Sequence, residues 1–176
     1  MDKGMSYRRF AAMIAVSTLV MFGLMYLNTF ALEHVRYSQT RTWMALVMGA
    51  AMAVIMLGFM WGMYRNRRLN LAILAGAAVV FAGALWLVRS QQTVGDVAYM
   101  KAMIPHHSIA ILTSERAQIR DERTRLLADR IIEAQVREIA EMEALIEELE
   151  RNPPPGDAPA LPSYRERGAP RPPPAR

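Results

Sequence analysis

Three long apolar runs fill the first half of the chain, at residues 10–27, 43–64 and 69–88, with lengths of 18, 22 and 20 residues. A helix needs about 20 such residues to cross about 30 Å of hydrocarbon, so each run predicts a transmembrane helix. After residue 88 the pattern changes: apolar positions recur at helical spacing among many charges up to residue 151, and then the period stops. The chain therefore divides into a membrane domain over 1–88, a helical domain over 89–151 and a proline-rich tail over 152–176. The fold class expected is all-α, with three transmembrane helices followed by an extracytoplasmic helical hairpin and a disordered tail.

The first run follows Arg8 and Arg9, and Thr29-Phe30-Ala31 loosely resembles a signal-peptide cleavage site. Its apolar core exceeds the usual 7 to 15 residues of such a peptide, so an uncleaved anchor is expected. Lys3, Arg8 and Arg9 precede the first run, and Arg65, Arg67 and Arg68 fill the turn between the second and third. Those flanks belong in the cytoplasm, which places the loop at 28–42 and everything after Val88 outside, in the manner of a bacterial inner-membrane protein. Small residues at Gly58 and Gly62, Gly49 and Ala53, and Ala72 and Gly76 suit close helix packing. Met44, Met48, Met52, Met56 and Met60 recur every fourth residue, but the row drifts by about 40° per step, which favours packing over a metal relay.

Charge sharpens the division. Eight Lys or Arg stand against two acids up to Val88, and thirteen against fourteen beyond it, so the net +5 belongs to the membrane part and gives no nucleic-acid patch. The absence of cysteine excludes disulfides and thiolate metal sites.

Residues 93–150 read as helix, with a lapse in apolar period at 120–124 that predicts the turn of a hairpin; one long kinked helix is the alternative. Pro105 predicts a kink or a restart. On the first helix Met100, Met103 and His107 lie within about 60° of one another, with His106 on the flank. Thioethers and imidazoles suit Cu(I), while imidazole also accepts Cu(II), zinc or nickel. The plainer reading makes the methionines core and the histidines caps at the kink. On the second helix Gln135 and Glu138 fall inside an apolar face, where a polar pair is costly unless hydrogen-bonded, paired or bound. The hydroxyls of Ser108 and Ser114 look like ordinary helix residues.

The block Met100-x-x-Met103-Ile104-Pro105-His106-His107, then Ala110-Ile111, then Ile131-Ile132-x-x-Gln135-x-x-Glu138-Ile139-x-x-Met142, resembles the family catalogued as domain of unknown function 305 over residues 93–149. The preceding three-helix region resembles its membrane-tethered members. The resemblance implies a ferritin-like helical bundle, and copper binding and tolerance in some periplasmic members. Carried over by position, it implies Met100, Met103, His106, His107 and Met142 as metal ligands, with Gln135 and Glu138 as neighbours. The chain departs from many soluble members at Ser108, Thr113 and Leu145, where they carry Gln, Met and Trp.

Two helices of about 25 residues cannot enclose a core, so self-association is expected, two hairpins forming a four-helix bundle in which Glu138 of one chain meets a histidine of the other. The function expected is a membrane-anchored, extracytoplasmic metal-binding protein, with copper as the ion. A non-catalytic assembly or partner-docking module is the alternative. The bilayer, a second copy and an ion donor or acceptor are the expected partners. An enzyme is not expected: Met103 and Ile104 stand three residues before the histidines, where a di-iron site would need glutamates. A transporter is disfavoured because no apolar run contains a charge.

Overall fold

The computed structural model describes residues 6–164 and 166–168. They form five α-helices and no strand: α1 (Tyr7–Leu24), α2 (Gln39–Phe59), α3 (Arg67–Ser90), α4 (Asp96–Arg116) and α5 (Glu122–Arg151), with short 3-10 turns at Leu32–His34 and Trp61–Met63. The first three are long and apolar enough to cross a membrane. Lys3 and residues 165 and 169–176 of the tail lie outside the described residues, and 152–164 carry turns but no helix.

Polar caps, and not the ends of the apolar runs, set the helix boundaries. The Ser6 hydroxyl accepts from the Arg8 N–H, Ser38 from Arg41, and the Asn66 side chain from Leu69, each satisfying one of the donors a helix start leaves over. Accordingly α1 starts three residues before its apolar run; at their other ends α1 stops before Leu27 and α2 at Phe59 instead of Tyr64, closed by backbone bonds from Met25 to Met21 and from Met60 to Met56. The lapse expected as a turn at 120–124 is displaced. The Asp121 carboxylate accepts from the Thr124 N–H at 3.0 Å, so Glu122 to Thr124 form the charged first turn of α5, and the connection runs from Ala117 to Asp121.

In the apolar half α2 lies between α1 and α3. Phe10, Ala50, Ala53, Leu57, Tyr64 and Ala77 make its core, with Met56 and Met60 packed against them. The closest approach is at Gly49, where an added Cβ would collide with the Thr18 hydroxyl. Gly58 and Gly62, by contrast, face open space, so that pair does no packing within the chain. One end of the bundle is tied by Asn70, fully buried, which accepts from the Tyr7 hydroxyl at 2.8 Å and donates to the Tyr64 carbonyl at 2.9 Å.

The other half is the hairpin of α4 and α5, whose core is Met100, Ile104, Ile111, Ile139 and Ile146. Helix α4 passes through the buried Pro105 without a restart.

Candidate metal site on the helical hairpin

Two cross-helix contacts fix the register of the hairpin: Lys101 pairs with Glu150, and His107 reaches Glu138. The helices run antiparallel, since the partner number falls as the α4 number rises. His107 Nδ1 stands 3.1 Å from Glu138 Oε2. That contact is off-line for a hydrogen bond, and the nitrogen is buried with no hydrogen-bond partner. Burial holds the His107 imidazole below its ordinary pKa, against the upward pull of Glu138, with His106 adding to the lowering. The ring is therefore held in its neutral form, the form that binds a metal.

One turn back from His107 and one turn on from Glu138, the same register sets Met103 level with Met142. Met103 is half-buried, and Met142 packs against the hairpin core. His106 is exposed, its ring centroid 6.0 Å from that of His107. Met100 is only 6% exposed and belongs to the apolar core beside Ile104 and Ile146. Gln135 is half-buried on α5, about one turn from Glu138. Glu138, expected to meet a histidine across two chains, meets His107 within one, because folding α5 back on α4 already brings the two residues opposite each other. Among the described residues no three His, Asp or Glu side chains group closely enough to hold an ion. A site in a single hairpin would therefore draw on thioethers, which suit a soft ion.

Ser108 is not an ordinary helix residue. It is fully buried, its Oγ accepts from the Phe30 N–H at 2.7 Å and lies 2.9 Å from His34 Nδ1. Beside it Arg36 pairs with Glu143 at 3.3 Å. The loop between α1 and α2 thus clasps one flank of the hairpin. At about 100° per residue, Tyr99, Met103 and His106 on α4 and Ile131, Glu138 and Leu145 on α5 fall on the opposite flank. His34 carries no sequence motif, and its partner is 74 residues away, so nothing local could have marked it.

No solved structure matches the chain. An uncharacterized protein of Acanthamoeba polyphaga mimivirus is 38% identical over 66 residues, which cover 36% of this chain and 43% of that protein. The match thus spans less than half the length of the relative. A family model described as a domain of unknown function (DUF305) matches residues 96–170, the segment that carries α4, α5 and the histidine pair, and it is this segment that is similar to that family.

Proposed function

We propose that the chain is a membrane-anchored protein whose hairpin, outside the cytoplasm, binds copper and buffers it or hands it on. The observation that carries this reading is His107 Nδ1, buried without a hydrogen-bond partner and 3.1 Å from the Glu138 carboxylate. A buried polar atom left in this state is costly unless something completes it. Met103 and Met142 bring thioethers to that level of the hairpin, His106 adds a second imidazole, and Met100 and Gln135 lie about a turn away on either side. This donor set favours Cu(I).

Arg8, Arg9, Arg65, Arg67 and Arg68 gather at one end of the three apolar helices, and the positive-inside rule assigns that end to the cytoplasm. The bilayer, a donor or acceptor of the ion, and a second copy of the chain are the partners in this reading. Tyr99, Ile131 and Leu145 are exposed on the flank that the loop leaves open, and covering them with a second hairpin would make a four-helix bundle. The same exposed flank favours the second reading, a non-catalytic docking module with no metal.

The test is a Cu(I) competition titration on the full chain in a neutral detergent, beside the His106→Ala/His107→Ala double variant. The wild-type chain is expected to compete with a Cu(I) chelator, and the variant to bind at least roughly tenfold more weakly, the low end for losing groups that support a metal site. No competition by a folded wild-type chain would leave the docking module as the reading.

A further inference from the structure

Helices α1 and α3 leave a cleft between them, floored by α2, with a volume of about 590 Å³. Its lining includes Phe10, Ala15, Leu46, Gly49, Ile73 and Gly76. The hydroxyls on its wall are already engaged: Thr18 donates to the Ile14 carbonyl at 2.8 Å, and Tyr7 to Asn70 at 2.8 Å. The cleft therefore offers an occupant hydrocarbon contact and little else.

Its dimensions suit a slender apolar occupant. From Tyr7 to Leu19, both on the wall, α1 rises about 18 Å at roughly 1.5 Å per residue. Spread over that length, the volume gives a cross-section of roughly 33 Å². A single extended hydrocarbon chain fits within that width.

Charge identifies the head that such a chain carries. The Tyr7 hydroxyl contacts the Asn66 carbonyl at 3.3 Å, which brings the starts of α1 and α3 to one end of the cleft. Arg8, Arg9, Arg67 and Arg68 are exposed there, and the one acidic residue between positions 6 and 95, Glu33, lies in the loop at the other end. Arg8 shares a helix face with Ala11, Ala15 and Leu19, which line the cleft.

We propose that this cleft binds an anionic phospholipid, one acyl chain lying between α1 and α3 and the phosphate held by Arg8 with Arg67 and Arg68. The proposal rests on the reading that the three helices cross a bilayer. It gives the membrane half a specific ligand in addition to its role as an anchor.

The test is native mass spectrometry of the full chain in a neutral detergent, titrated with phosphatidylglycerol and with phosphatidylcholine of matched acyl chains. One phosphatidylglycerol per chain is expected, held about a hundredfold more tightly than phosphatidylcholine, from three basic residues contributing about fivefold each. Arg8→Gln, an exposed change, is expected to weaken phosphatidylglycerol about fivefold and leave phosphatidylcholine unchanged. A Cβ at Gly76 meets no atom within 4 Å and Gly76 lines the cleft, so the larger side chain of Gly76→Leu is expected to occupy the cleft and weaken both lipids equally. Equal retention of the two lipids by the wild-type chain would overturn the proposal, as would wild-type binding of phosphatidylglycerol by a helical, monodisperse Gly76→Leu chain. Alkaline extraction of cell membranes separates the two readings. A chain released to the supernatant fails the membrane reading, and a chain kept in the pellet but indifferent to lipid fails this proposal alone.

Discussion

At His107 burial and charge act in opposite directions, and burial is the larger. The side chain is 14% exposed, so most of its hydration is gone and the charged form is disfavoured. Glu138, at 44% exposed, remains screened by solvent and returns only part of that loss. With the folded pKa below the unfolded value of about 6.5, the unfolded chain takes up the proton more readily. Stability from this residue is full above about pH 6.5 and is lost as the pH falls through the folded pKa. The metal-free chain is therefore expected to show a thermal midpoint that falls between about pH 7 and about pH 5, with a shallower fall in His107→Gln. Thermal unfolding followed by circular dichroism across that range checks this, and parallel slopes for the two chains would refute it. The sequence placed His107 on one face with Met100 and Met103, His106 on its flank, and the Gln135/Glu138 pair inside an apolar face, which is local information. That His107 meets Glu138 in the same chain depends on where α5 starts, and the cap at Asp121 sets that start.

The helices themselves were legible as apolar runs of membrane length, while their ends and contacts were not. Hydropathy measures transfer to lipid and ignores the backbone donors that Ser6, Ser38 and Asn66 satisfy. Among the small-residue pairs, sequence alone could not distinguish Gly58 and Gly62, which face open space, from Gly49, which α1 presses against. Thr18 cannot swing away cheaply, because its hydroxyl is bonded to the Ile14 carbonyl and its β-branched side chain has few rotamers in a helix. Gly49→Ala is thus expected to destabilise the α1–α2 contact by about 1–3 kcal/mol, the usual range for overpacking, whereas Gly58→Ala should cost nothing measurable there. Removing the obstructing side chain in the Thr18→Ala/Gly49→Ala pair should restore most of the loss. Denaturant titration of the four chains in detergent micelles reads the effect, and a Gly49→Ala chain as stable as Gly58→Ala would show that α1 does not pack as described.

Across the whole molecule, the hairpin is joined to the apolar half by the five residues between α3 and α4 and also by contacts that no local pattern announces, separated by 74, 78 and 107 residues. Ser108 is the centre of this clasp. Its single hydroxyl serves the Phe30 N–H and the His34 ring at once, and it does so one residue from His107, so the loop and the candidate metal site share a turn of α4. Removing the hydroxyl leaves two polar groups without partners at a part-buried contact, a loss of about 1–3 kcal/mol. The penalty falls on the clasp, since Ile104, Ile111 and Ile139 hold the hairpin core without it. Ser108→Ala is therefore expected to speed hydrogen exchange at the Phe30 amide by roughly 5- to 150-fold, with the protection of α2 and α5 unchanged. Ser114→Ala, on the same helix but without such partners, serves as the control. Slower metal release from the wild-type chain than from Ser108→Ala would further tie the clasp to the site, because a loop that holds α4 in place also holds His107 against Glu138. If the Phe30 amide exchanges alike in both chains, the Ser108 hydroxyl is not the centre of a clasp, and the two halves of the molecule are coupled through the link between α3 and α4 and the Arg36–Glu143 pair.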